Sequence, residues 1–323
     1  MNYELFFVPL HQNNNLKQYF AMKLTGRRES SNVEDRRGLS TGAKAGLGGG
    51  IGAIIIGLLM SLLGGGGSGG GGIDLGQILG QVLGGGGTEQ GFQTEQVDPA
   101  SFSEEEQQLA KECKQILGST EEVWAKVFKD NGLGNYLPPT LVLFTNSVQS
   151  ACGNATASVG PFYCSGDQKL YIDLSFFTEM KRQLGVQGNT FAYAYVIAHE
   201  IGHHVENLLG SLNSAHKQMS QSNKTKANQI SVRLELLADY YAGVWAHYEN
   251  EMYHSLEYGD IEKGLELAQA IGDDWLQKQA QGYATPESFT HGTSVQRKRW
   301  LKKGFETGDM KTSTFNVSNY NDL

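Results

Sequence analysis

The chain has 323 residues, room for one large domain or two small ones, and a formal net charge of −8. That acidic balance removes the electrostatic support that nucleic-acid binding requires. Glycine is the compositional outlier at 42 residues, and many of these crowd residues 46–91.

Residues 27–44 contain Arg27, Arg28, Arg36, Arg37 and Lys44, and the run "GLGGGIGAIIIGLLMSLLGGGG" lies just beyond them. It holds about twenty residues without a charge, enough to cross a bilayer core. No Lys or Arg occurs after it until Lys111. This asymmetry predicts a cytoplasmic N-terminus and a domain outside. A Gly-rich soluble linker is the competing reading. The next stretch, "GGGGSGGGGIDLGQILGQVLGGGG", is a flexible tether by composition, with either a short amphipathic segment or a collapsed linker at Ile73–Leu83.

A folded domain is expected to begin near Asp98. Ser103, with Glu104, Glu105 and Glu106 after it, reads as an N-cap and acidic first turn, opening a helix to about Leu117. A second helix is predicted from Thr120 to about Phe128. "TLVLFTNSVQSACG" and "GPFYCSGDQKLYIDLSFF" have strand character, with a turn at Ser165–Gln168 in the second. Cys152 and Cys164 bracket a loop in this region and are expected to pair, worth roughly 3 kcal/mol in the chain-entropy model. Cys113 is expected to stay reduced on a helix. Beyond Phe176 the pattern is mostly helical.

"YVIAHEIGHHVENLLG", residues 195–210, carries the chemistry. His199 and His203 lie four residues apart, about 40° round a helix and about 6 Å along it, so both imidazoles can converge on one metal ion. Glu200 sits beside them. His-Glu-x-x-His is the arrangement in which a non-ligating carboxylate activates water at zinc. Ile197, Ile201, Val205 and Leu208 form a stripe that anchors the opposite face. His204 lies off the paired face and reads as structural or solvated; Glu206 reads as a solvent-facing charge.

Two histidines leave a catalytic zinc one protein ligand short. A continuation through His-x-x-Gly-x-x-His is ruled out, because Glu206 and Leu209 hold those positions. "SVRLELLADYYAGVWAH", residues 231–247, offers Glu235 and Asp239 on one helical face, with Ala238, Ala242, Gly243 and Ala246 permitting close helix approach. Glu235 is expected to bind the metal and Asp239 to hold the outer nitrogen of His199. "FTHGTSVQRKRW" adds His291 and Arg297 as candidates for stabilising a developing oxyanion; a capping or packing role for His291 stays open.

Residues 26–37 "GRRESSNVEDRR", then "GPFYCSGDQKLYIDLSFF", "AHEIGHHV", "ELLADYYAGVWAH" and "SFTHGTSVQRKRW" together resemble the bacterial neutral zinc metallopeptidases. The resemblance runs over most of the chain from about residue 22. It implies a zincin-like α+β domain, mainly helical, anchored by a single transmembrane span. It also carries His199, Glu200, His203 and Glu235 over as the site. In zincin-like folds a small sheet lies over the active-site helix and its edge strand pairs with substrate, a role expected here for residues 168–174 unless they are plain core strands. Residues 1–21 look unlike the segment after them, and Met22 is expected to be the natural start.

The expected organisation is a cytoplasmic N-terminal segment (1–45), a transmembrane helix (46–66), a Gly-rich linker (67–97), a peptidase domain (98–310) and a flexible tail (311–323). The expected activity is hydrolysis of a peptide or protein substrate by zinc-activated water, with Glu200 as general base. Two readings compete with it: an inert zinc-stabilised envelope scaffold, and a hydrolase of non-peptide amides.

Overall fold

The structure, a computed structural model, describes residues 22–38, 101–184, 190–257 and 259–323. Two layers emerge, a small sheet and a larger helical body. Strand β1 (Val33–Asp35) pairs in parallel with β2 (Thr140–Phe144), and β2 pairs in parallel with β6 (Lys169–Asp173). Strand β5 (Phe162–Cys164) closes the sheet antiparallel to β6, giving the order β1-β2-β6-β5. Strands β3 (Ser147–Ser150) and β4 (Gly153–Thr156) form a separate hairpin. Cys152, in the hairpin turn, is joined to Cys164 at the end of β5 with a Cα–Cα separation of 5.8 Å, so the predicted pairing is the one present.

The expected edge strand is misplaced. Strand β2 pairs with residues 169–173 on one side and β5 with residues 169–171 on the other, so β6 is an inner strand of the sheet. The Leu, Tyr and Ile of β6 are buried because the strand is central. The free edge beside the helical body belongs to β5.

Helix α1 (Glu104–Asp130) starts where Ser103 caps it, the side chain accepting from the Glu106 amide at 3.2 Å. It does not break near residue 118. Gly118 sits mid-helix because the chain at Arg28 crosses there; a Cβ would lie 2.5 Å from the Arg28 carbonyl oxygen. The glycine permits close approach and does not end the helix.

After β6 come α2 (Ser175–Leu184), α3 (Thr190–Leu208), α4 (Ser211–Ser220), α5 (Lys224–Tyr253), α6 (Asp260–Ala270), α7 (Asp273–Gln281) and α8 (Ser294–Thr307). Ile197, Ile201 and Val205 are wholly buried, as the stripe predicted, in one core with Trp124, Trp245 and Leu237. Helix α5 runs through the middle of the body and packs against both α3 and α8.

The expected single-pass membrane protein, with a cytoplasmic N-terminus and an extracytoplasmic domain, is corrected here. Among the described residues no helix is long and apolar enough to cross a membrane. The long helices α1 and α5 carry charges along their length. The proposed span 46–66, the linker 67–97 and residues 1–21 lie outside the described residues.

The four arginines among the basic residues that suggested orientation are partnered within the fold, while Lys44 lies outside the described residues. Arg27 pairs with the buried Glu249 at 3.1 Å, Arg28 with Glu121 at 2.6 Å, and Arg37 grips both oxygens of Asp35 at 2.8 and 2.7 Å. Met22 and Leu24 enter the core. Residues 22–38 thus fold with the domain and form no separate segment.

The expected flexible tail 311–323 is likewise packed. Thr314 is buried and donates to the Arg233 carbonyl at 2.7 Å, and Leu323 is buried with its carbonyl held by Arg299 at 2.8 Å.

Candidate metal centre

Helix α3 presents Val196, His199, Glu200 and His203 to a cleft at i, i+3, i+4 and i+7, one face of an α-helix. Helix α5 reaches that face because Gly202 lets it in: a Cβ on Gly202 would meet the Ala238 carbonyl oxygen at 2.7 Å. The approach brings Glu235 to both histidines, with Oε2 at 3.2 Å from His199 Nε2 and Oε1 at 3.5 Å from His203 Nε2. His199, His203 and Glu235 each offer a ligand atom within 4.8 Å of the others.

Each imidazole is braced through its other nitrogen. His199 Nδ1 meets Asp239 Oδ1 at 2.8 Å, as expected from the sequence, and His203 Nδ1 meets Glu206 Oε2 at 2.9 Å. Glu206 was expected to face solvent, yet it is fully buried. One turn of the helix aims it at His203, and burial pushes its carboxyl up to about 7, with Oε1 lacking a partner. Asp239 is more fully engaged. Besides His199 it accepts from the Tyr195 hydroxyl at 2.6 Å and from Arg297 Nε and Nη2 at 2.9 and 3.0 Å. Arg297, a candidate oxyanion donor, gives Nε and Nη2 to Asp239 while it also lines the cleft.

The electrostatics favour a cation. Burial works against charge on His199, but Asp239 and then Glu235 push it up to about 9; His203 is pushed up to about 10 by Glu235 and Glu206 against the same burial. Burial also opposes charge on Glu235, yet His203, His291 and His199 hold its carboxyl well below the usual carboxylate range. Two imidazoles whose Nδ1 atoms are tied to carboxylates present Nε2 forward, and a carboxylate faces them. That donor set fits zinc.

Glu200 borders the same cleft without joining the braces. Burial raises its pKa against the pull of His199 and His203, and it accepts from the backbone N–H of Tyr163. His291 lines the cleft as well, its Nδ1 3.1 Å from Asp273 Oδ1. Asp273 Oδ2 accepts the amides of Thr290, His291 and Gly292 at 2.8, 2.7 and 3.1 Å, which fixes the loop carrying that histidine. His204, adjacent to His203, faces away from the cleft. It is fully buried between the Leu137 carbonyl (2.7 Å) and the Tyr163 hydroxyl (3.0 Å), and burial lowers it to about 4. Of its two readings, the structural one holds.

Sequence reasoning missed Glu206, Tyr195 and Val196. All three were signalled by helical spacing: Glu206 three residues after His203, Tyr195 four before His199, Val196 three before it.

The family described as "Putative neutral zinc metallopeptidase" matches residues 22–315. The uncharacterized protein YpfJ of Escherichia coli (strain K12) is 42% identical over 303 residues, covering 92% of this chain and 100% of that protein. The uncharacterized protein Rv2575 of Mycobacterium tuberculosis (strain ATCC 25618 / H37Rv) is 41% identical over 200 residues, 59% of this chain and 65% of its own. No solved structure matches. With the family's match running through both helices that carry His199, His203 and Glu235, the chain belongs to the neutral zinc metallopeptidase family.

Proposed function

We propose that the protein is a zinc-dependent peptidase whose metal is held by His199, His203 and Glu235. The observation that carries this reading is the convergence of three donors beside Glu200, a carboxylate that lines the same cleft and braces neither imidazole. A purely structural zinc would close with four protein ligands and has no use for Glu200. Zinc in this position supplies a Lewis acid and lowers the pKa of water toward ~7.

Glu200 is the general base. Its raised pKa brings it closer to neutrality, where a carboxylate both takes and returns a proton. It accepts a proton from the attacking water and delivers it to the leaving amine nitrogen as the C–N bond breaks. Asp239 and Glu206 hold the imidazole rings in register. His291 donates Nδ1–H to Asp273; against burial, Asp273 and Glu235 raise its pKa, so the ring can carry a second proton on Nε2 and donate it to the developing oxyanion.

The test is hydrolysis of an unstructured protein by the full-length, zinc-loaded chain, with and without chelator, beside Glu200→Gln. The variant should retain zinc and lose ~10²–10⁴-fold in turnover. Wild-type turnover in Glu200→Gln would overturn the assignment, and no hydrolysis by zinc-loaded wild type would overturn the activity.

A further inference from the structure

The cleft holds more than the metal-facing residues. Its volume is about 380 Å³, near the lower end of the ~300–1,000 Å³ typical of small-ligand sites. That space suits one or two side chains of an extended segment and excludes a folded surface. Val196 on α3, Phe176 at the start of α2, Ile271 just after α6 and Val159 before β5 all line it. None of these four is buried, and Val159 is 41% exposed. Four apolar side chains from four separate elements thus keep part of their surface open to one concavity, beside the candidate general base.

Backbone recognition along the neighbouring strand edge is restricted. In residues 161–163 Pro161 has no N–H to give, and the Tyr163 N–H is taken by Glu200. Strand addition alone would therefore hold a peptide weakly, and side-chain burial must supply more of the selectivity. An acidic side chain would lose its hydration against these walls and lie beside Glu200.

From these observations we propose that the cleft selects a bulky apolar side chain, leucine- or phenylalanine-like, in a residue flanking the cleaved bond, with Phe176, Val196 and Ile271 as its walls. This rests on the peptidase reading and names its substrate class.

Two peptide series test it, each varying one residue, before or after a single cleavable bond, through Phe, Leu, Ala, Gly and Asp. With zinc-loaded full-length protein, kcat/KM should favour Phe or Leu over Gly by ~10–200-fold in one of the series, with Asp lowest. Phe176→Ala and Ile271→Ser should each shrink that preference about tenfold. A flat profile in both series, or a preference for Asp, would overturn the proposal; an undiminished preference in both variants would overturn the wall assignment.

Binding keeps the two readings apart. Fluorescence anisotropy of labelled peptides on zinc-loaded Glu200→Gln should show the Phe peptide binding tighter than its Asp counterpart. If that holds while wild type cleaves nothing, the peptidase reading falls and the apolar subsite stands. If the peptides are neither cleaved nor bound, both fall.

Discussion

His203 and His204 are neighbours on one helix, yet the structure drives them in opposite directions. His203 turns toward the cleft, where Glu235 and Glu206 push it up to about 10. His204 turns toward Tyr163 and the Leu137 carbonyl, where burial with no carboxylate at hand lowers it to about 4. One residue type, on two sides of α3, becomes a ring held between carboxylates and a neutral strut. The difference lies in what tertiary contact places against each ring: two carboxylates on one side, and a carbonyl and a phenol on the other.

The largest test removes the carboxylate shared by both metal-facing rings. Glu235→Ala should lose most bound zinc, more than the ~10–100-fold expected for an outer partner, and should lower the pKa of His203 toward ordinary values in the metal-free protein. Zinc titration and NMR titration of the imidazoles read both effects. Retention of wild-type affinity would place the third ligand elsewhere.

The two braces come next, and they should differ. Asp239 ties α3 to α8 through His199, Tyr195 and Arg297, so Asp239→Ala strands a buried guanidinium. Zinc affinity should fall by ~100-fold and stability by ~3–5 kcal/mol. Glu206 braces His203 from the same helix and has one oxygen without a partner. Glu206→Ala should cost only about tenfold in zinc affinity. Equal losses, measured by competition with a chromophoric chelator and by urea unfolding, would mean that the local brace matters as much as the one that joins helices.

Substituting His204 should leave zinc affinity least changed and show instead in the pH dependence of stability. The unfolded chain takes up a proton near 6.5, whereas folded His204 does so near 4. Its contribution to stability is therefore complete above pH 6.5 and is lost as pH falls toward 4, over a range of roughly 3 kcal/mol. His204→Gln should flatten this part of the Tm-against-pH curve for the metal-free protein, while an unchanged curve would assign the acid sensitivity to other groups.

Much of the site was legible in advance because it is local. His199, Glu200 and His203 declare themselves by spacing, and so does the stripe of Ile197, Ile201 and Val205 that seats their helix. Glu235 and Asp239 were found by asking which second helix had paired carboxylates and small residues for close approach. Glu206 was misread because a charged residue is assigned to solvent by default, and only the packing of α5 over it shows that water is excluded. The pairing of Arg297 with Asp239 was not legible, because the two lie 58 residues apart.

The sequence by itself determined the helical face that carries the histidines, the Ser103 cap, the pairing of Cys152 with Cys164, and the turn between β5 and β6. Those features depend on spacing within a helix, a capping hydroxyl, or residues close along the chain. Tertiary structure alone decided that β6 is central and β5 is the edge, since that order depends on β2, from residues 140–144, pairing along the side of β6 that β5 leaves open. It also decided that the arginines of residues 27–37 pair with Glu249, Glu121 and Asp35, where a linear count of charge had read a membrane orientation. The Arg27–Glu249 pair spans 222 residues and leaves no local pattern, because its partners meet only after the core between them has formed.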